Sequence, residues 1–219
     1  MKMLAPSILA ADFSRLGEEI KTVGEAGADM IHFDVMDGRF VPNLSFGPQI
    51  LKCIRPFTKL PFDAHLMIAE PFKYIAMFAE AGADIITIHH ESDCDVSACV
   101  GEIKRNNKKA AAAVNPRTKV EKLFPYIENL YMILIMSVEP GFGGQKFLPD
   151  ALRKAETLAS YSAKNNLNIK IEMDGGINLQ NLRSVLEAGV NVVVAGSAVF
   201  GKTSEETADR VKLFSDAMK

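Results

Sequence analysis

"EAGADMIHFDV" at residues 25–35, "EAGADIITIHH" at 80–90 and "EAGVNVVVAGS" at 187–197 are three copies of one unit. They begin at Glu25, Glu80 and Glu187, so the second interval is close to twice the first. In each copy a glycine stands where a helix would end in a left-handed residue, and an apolar run follows at once. Upstream, apolar residues recur at helical spacing: Phe13, Leu16, Ile20 and Val23; Phe72, Ile75, Phe78 and Ala79; Leu179, Leu182, Val185 and Leu186. A fourth apolar run, "YMILIMS" (131–137), fills the gap between the second and third copies. Four more lie between these: "MLAPSIL" (3–9), "LPFDAHLMI" (60–68), "KKAAAAVNP" (108–116) and "NIKIEMDGG" (168–176). Eight evenly spaced strands with helical patterns between them imply a parallel sheet with right-handed crossovers. The expectation is a single-domain (β/α)8 TIM barrel spanning residues 1–219. An open doubly wound sheet is the rival, but it would not need eight even units.

Composition narrows the function. The 219 residues are 48% hydrophobic and 24% charged, with a net charge of −2. No basic run tracks a phosphate backbone, so no nucleic-acid partner is expected. The start "MKMLAPSILA" has neither the apolar core of a signal peptide nor the Arg- and Ser-rich character of a transit peptide. The longest apolar run, "LYMILIM", falls far short of the roughly twenty residues that span a bilayer, so no membrane partner and a cytoplasmic location are expected. Cys53, Cys94 and Cys99 are odd in number and lack a CxxC spacing, which argues for free thiols rather than a disulfide frame or zinc knot.

A barrel places its chemistry at the C-terminal ends of its strands. Ser7 falls at the end of the first strand, His32 and Asp34 in the second, and His65 and Met67 at the end of the third. Met136 falls at the end of the sixth, Asp174 at the end of the seventh, and Gly196-Ser197 after the eighth. In the second strand His32 and Asp34 share one face, opposite Ile31, Phe33 and Val35. That polar face is expected to look into the mouth. A single histidine is more often a satisfied core residue than a ligand. His32, Asp34, His65 and Asp174 together are a different matter, because an unliganded cluster would bury two carboxylates at several kcal/mol each, on the order of the usual desolvation cost. The mixed nitrogen and oxygen set suits one divalent ion such as Zn, Fe, Mn or Co. His89, His90 and Glu91 stand near enough to serve behind such a site.

Glycines cluster in "EPGFGGQKF", "DGG" and "AGSAVF", after the sixth, seventh and eighth strands. One such cluster is usually a turn. Three on consecutive strands, the last two where barrels hold phosphate, point to anion binding by backbone N–H groups. The segment from Glu139 to Pro149 has the make-up of a closing loop. Met36, Met67 and Met136 read on pattern alone as gap-fillers.

"APSILAADF", "HFDVMDGRFVPN", "FDAHLMI", "AGADIITIH", "VNPRT", "MSVEPGFGGQKF", "IEMDGGI" and "VAGSAVF" resemble the ribulose-phosphate 3-epimerase family, through all eight units. The resemblance implies a metal-dependent barrel that interconverts D-ribulose 5-phosphate and D-xylulose 5-phosphate in the pentose phosphate pathway. It implies that His32, Asp34, His65 and Asp174 hold the metal, and that Asp34 and Asp174 are also the acid/base groups. It implies further that Ser7 and His65 contact substrate, and that Met36, Met67 and Met136 flank the intermediate. Gly141, Phe142, Gly143 and Gly144, with Gly175, Gly176, Gly196 and Ser197, would line the phosphate end. Relatives form dimers or larger assemblies, so a homo-oligomer is expected. His90 and Met173 depart from the commoner pattern without touching the four ligands. A sister group acting on D-allulose 6-phosphate shares most of these motifs. A metal-dependent aldolase would use the same parts with one base. A sugar-phosphate binder would not need both carboxylates, and a scaffolding protein would not need the polar mouth.

Overall fold

The computed structural model describes residues 2–219. Eight strands run in chain order: β1 (Met3–Pro6), β2 (Ile31–Met36), β3 (Phe62–Met67), β4 (Ile85–His89), β5 (Lys109–Val114), β6 (Met132–Met136), β7 (Lys170–Asp174) and β8 (Val192–Ala195). Their order in the sheet is β1-β8-β7-β6-β5-β4-β3-β2, and every paired neighbour is parallel. The remaining seam, between β1 and β2, is spanned by a Ser7–His32 bridge and by the Asp29 and Met30 N–H groups donating to the Leu4 carbonyl. The expected (β/α)8 barrel is the fold observed.

Six α-helices connect the strands, α1 (Leu16–Glu25), α2 (Pro48–Ile54), α3 (Ile75–Ala81), α4 (Val96–Arg105), α5 (Asp150–Lys164) and α6 (Leu182–Glu187), and α7 (Ser204–Ala217) follows β8. The β5–β6 connection is instead a 3₁₀ helix, Val120–Asn129. Pro125 lies inside it, and a proline there lacks the N–H and crowds the carbonyl that an α-helix would use. Helix ends follow local chemistry. The Asp95 side chain caps α4 by accepting from the Ser97 N–H, and Gly82, at φ 109°, ends α3 in the left-handed conformation.

The apolar periodicity overran the helices at their N-terminal ends. Phe13 and Phe72 lie in short 3₁₀ turns before α1 and α3, Leu179 lies before α6, and all three side chains are exposed.

Along β2, Ile31, Phe33 and Val35 face outward, and Phe33 packs against Phe46 and Phe78 with ring centroids 5.1 and 6.4 Å apart. His32, Asp34 and Met36 face the barrel interior. There the lower end is closed by Ala5, Met30, Ile85, Ala111, Met132, Val192 and Val194. Register sets the next layers, pairing His32 with Asp63, Asp34 with His65 and Met36 with Met67 across β2 and β3. A polar stack thus stands on an apolar floor and opens at the C-terminal mouth.

Candidate active site

The four side chains expected to act together do come together. One donor atom from each of His32, Asp34, His65 and Asp174 lies within 4.8 Å of all the others. His32 Nε2 is 3.2 Å from both His65 Nδ1 and Asp34 Oδ1, and 3.8 Å from Asp174 Oδ2. His65 Nδ1 is 3.0 Å from Asp34 Oδ1. Donors held about 2.0–2.2 Å from a tetrahedral ion are roughly 3.3–3.6 Å apart, so this set fits a divalent cation in both chemistry and spacing. His32 and His65 are fully buried and Asp34 nearly so, while the Asp174 side chain keeps 17% of its exposure at the mouth. The second oxygen of Asp34 accepts from the Ser7 hydroxyl at 2.5 Å. Ser137 Oγ donates to the carbonyls of Asp174 and Gly175, fixing the end of β7 against β6.

The electrostatics divide the two carboxylates. Burial pushes both upward. For Asp34 the positive charge of His32 and the close His32 and His65 imidazoles outweigh burial and hold it well below the usual carboxylate range. For Asp174 repulsion from Asp34 adds to burial, and its carboxyl is pushed up to about 7. Burial lowers His65 to about 4, with the neighbouring imidazoles His89 and His32 adding to the effect against the pull of the adjacent Asp34 carboxylate. His32 goes the other way: burial works against its charge, but Asp34, Asp63 and Glu172 raise it well above its ordinary value. In the chain alone, the protonated His32 supplies the positive charge this pocket of acceptors demands.

A second set of buried groups lies one layer deeper, and sequence reading missed it. His32 Nδ1 is 3.1 Å from Asp63 Oδ2 and 3.5 Å from Glu172 Oε1. Asp63 Oδ1 accepts from Thr87 Oγ1 at 2.6 Å. Neither oxygen of Glu172 has a hydrogen-bond partner, and burial together with repulsion from Asp63 pushes its carboxyl up to about 8. The signal was present as a step of two: Asp63 precedes His65, and Glu172 precedes Asp174, each on the same face of its strand.

Above the cluster a cavity of about 290 Å³ opens between the strand ends. Ser7, Asp34, Met36, Met67, Met136 and Asp174 line its deep end. Gly141, Phe142, Gly143, Gly144, Gly175, Gly176, Gly196 and Ser197 line the other side, so these expected residues do share one space. His65, expected to touch substrate, does not line the cavity and is buried behind Asp34. Pro140, Gln145, Ile177 and Asn178 line it and were not singled out from the sequence, having no chemistry that marks them. Ser7 lies one residue past β1 and Ser137 one past β6, and His89 is the last residue of β4.

The glycines divide into two kinds. At Gly176, with φ 66°, a Cβ would lie 2.5 Å from the Phe147 N and 2.7 Å from the Gln145 carbonyl. This glycine lets the loop after β6 pack on the end of β7. At Gly143 a Cβ would meet nothing within 4 Å. Its bare backbone looks into open space that an anion can fill. No lysine or arginine lines the cavity, so an anion there would be held by backbone N–H groups and neutral side chains. Cys53 is exposed, Cys94 half-buried and Cys99 buried, all as free thiols.

The chain matches the model of the "Ribulose-phosphate 3 epimerase family" over residues 3–200. It is 54% identical over 200 residues to "Ribulose-phosphate 3-epimerase" of a Synechocystis species, covering 90% of this chain and 87% of that one. It is 46% identical over 209 residues to the protein of the same name from Bacillus subtilis, covering 95% and 96%. Among solved structures, 3-hexulose-6-phosphate synthase superposes over the whole of both chains with a TM-score of 0.73 at 19% identity, a likeness of fold. On sequence, coverage and barrel alike, the chain belongs to the ribulose-phosphate 3-epimerase family.

Proposed function

We propose that this chain interconverts D-ribulose 5-phosphate and D-xylulose 5-phosphate by moving the C3 proton between two carboxylates. The observation that carries this is the convergence of Asp34 from β2 and Asp174 from β7 on one cavity, with donor atoms within 4.8 Å of each other. Inverting a carbon beside a ketone requires removing a proton from one face and returning one to the other. Two carboxylates from opposite sides of the barrel do this without turning the sugar over. One carboxylate takes the proton from C3 to leave a flat enediolate, and the other delivers a proton to C3 from the opposite face. In the chain alone the two carboxyls already differ, Asp34 held ionised and Asp174 pushed up to about 7. Reversal exchanges the roles. The Ser7 hydroxyl orients Asp34 through its 2.5 Å bond.

His32, Asp34, His65 and Asp174 would hold one divalent ion, Zn, Fe, Mn or Co. Such an ion, when bound, supplies Lewis-acid stabilisation of the negative charge that develops on the substrate oxygens. Met36, Met67 and Met136 present apolar, water-excluding walls around the reacting carbons. The phosphate would lie against Gly143, Gly144, Gly175, Gly176, Gly196 and Ser197, where remote binding energy orients C3.

Residues 1–219 would form one catalytic domain working as a homo-oligomer in the cytoplasm. The exposed apolar side chains of Phe72, Tyr74 and Met77 support self-association, and no helix among the described residues is long and apolar enough to cross a membrane. The test is an epimerisation assay on ribulose 5-phosphate beside allulose 6-phosphate, with triose products monitored. The proposal expects the pentose phosphate to be the better substrate and no triose to form. Turnover of the hexulose phosphate alone, or release of triose, would replace it with the sister activity or an aldolase.

A further inference from the structure

We infer that His89 and Glu91 form a positioning relay that fixes the tautomer of His65 and so aims the His65 Nδ1 lone pair at the metal position. His89 closes β4 inside the barrel and is fully buried. Its Nε2 lies 2.8 Å from His65 Nε2, and its Nδ1 lies 3.3 Å from Glu91 Oε2. The two imidazoles lie with their planes 24° apart, and the Phe40 ring covers His89 at 4.8 Å between centroids. Glu91 is itself held in place, since its other oxygen accepts from the Asn115 N–H at 2.8 Å. Burial pushes the Glu91 carboxyl up, but the hydrogen bonds from His89, Thr118 and the Asn115 N–H prevail and bring it down to about 2.

The direction of every bond then follows from the carboxylate. An ionised carboxylate only accepts, so the His89 proton sits on Nδ1 and is donated to Glu91. With its one ring proton on Nδ1, His89 offers an acceptor at Nε2. Two imidazole nitrogens 2.8 Å apart need one proton between them, and it must come from His65 Nε2. His65 Nδ1 is therefore bare, and it points at Asp34 Oδ1 from 3.0 Å. A lone pair and a carboxylate at that distance repel unless a cation lies between them. Glu91, which touches none of the four proposed ligands, thus sets which His65 nitrogen can bind metal. Metal-bound histidines commonly donate their second N–H to such a partner, and loss of the partner typically costs 10–100-fold in metal affinity, as an order of magnitude. The backbone N–H of His90, the neighbouring residue, donates to the Ala113 carbonyl of β5, and its buried Nδ1 has no hydrogen-bond partner among the described residues.

This relay rests on the proposed metal site, and the test separates the two. Zinc affinity is measured by chelator competition for the wild type, His89→Leu and His89→Gln, with circular dichroism to verify folding. Long-range ¹H–¹⁵N spectra of the zinc-loaded wild type read the tautomers directly. The relay predicts a proton on His89 Nδ1 and on His65 Nε2. It predicts zinc binding weakened about 10–100-fold in His89→Leu. His89→Gln, whose side-chain carbonyl restores an acceptor for His65, should recover most of the loss. A His89 proton on Nε2, or a folded His89→Leu that binds zinc as tightly as wild type, would overturn the relay while leaving the metal site standing. A wild type that takes up no zinc would overturn the site and the relay together.

Discussion

Glu172 sits one inward-facing position below Asp174 on β7, fully buried, with neither oxygen hydrogen-bonded. Its folded-state carboxyl is raised from 4.5 to about 8, so the protonated form is the one the fold favours. The linkage has a definite sign. A carboxyl raised on folding contributes stability that is complete below its unfolded value and lost as pH rises through the folded one. In metal-stripped protein, Tm should therefore fall between pH 5 and 9, and Glu172→Gln should flatten that fall. Thermal scans of both proteins across this range check it; parallel curves would remove Glu172 as the cause. Asp174, raised to about 7, contributes a slope of the same sign that an added cation should reduce. Ligation gives a second expectation. Wild type should carry about one divalent ion per chain and lose turnover on stripping, and His65→Ala should lose most of the ion, read by elemental analysis. At this scale His32, Asp34, His65 and Asp174 were legible because polar residues in apolar strands stand out. Asp63 and Glu172 were equally visible by the same step of two along their strands, but nothing in a single strand reveals that they stack with His32 in one shaft. That depends on cross-strand register.

The loop after β6 and the turn after β7 behave as one element. Gly176 has φ 66° and no room for a Cβ beside the backbone of Gln145 and Phe147. Gly176→Ala should destabilise the fold by about 1–3 kcal/mol for the left-handed backbone alone. Gly143 has neither a strained backbone nor a neighbour within 4 Å. Gly143→Ala should leave the unfolding midpoint within about 0.5 kcal/mol of wild type while raising KM for the sugar phosphate. Urea melts and steady-state kinetics on the pair separate the two uses of glycine; a destabilised Gly143→Ala with unchanged KM would reverse the assignment. The sequence marked both glycines alike, because what distinguishes them is what packs opposite. The same limit explains the β5–β6 connection, where the apolar positions Val120, Leu123 and Ile127 are buried as a helix would bury them, but Pro125 forces the tighter 3₁₀ form. Phe13, Phe72 and Leu179 continued the apolar rhythm past the true helix starts because periodicity carries no information on where the first turn begins.

For the molecule as a whole, the repeat starting at Glu25, Glu80 and Glu187, with the five apolar runs spaced around its copies, was enough to give strand number and direction. Barrel closure then brings β2 and β7 to face each other across the mouth. The interior is a gradient, with an apolar floor, a buried polar stack, and a cavity walled by methionines and glycines. Such a cavity puts the reacting carbon between two carboxylates only if the phosphate end is anchored. Unphosphorylated ribulose should accordingly show a kcat/KM far below that of ribulose 5-phosphate, and equal values would count against the anchoring role.

The central claim, that Asp34 and Asp174 each handle the C3 proton from one face, is tested most directly by isotope exchange in deuterated water. The measurement follows deuterium at C3 of ribulose 5-phosphate and xylulose 5-phosphate with wild type, Asp34→Asn and Asp174→Asn, alongside the metal content of each. Wild type should label both epimers. Each metal-replete variant should lose interconversion by roughly 10²–10⁴-fold, the usual cost of removing a general base, and should wash deuterium slowly into one epimer only. The labelled epimer should differ between the two variants. A metal-replete Asp174→Asn protein that still epimerised at near the wild-type rate would contradict the two-carboxylate account.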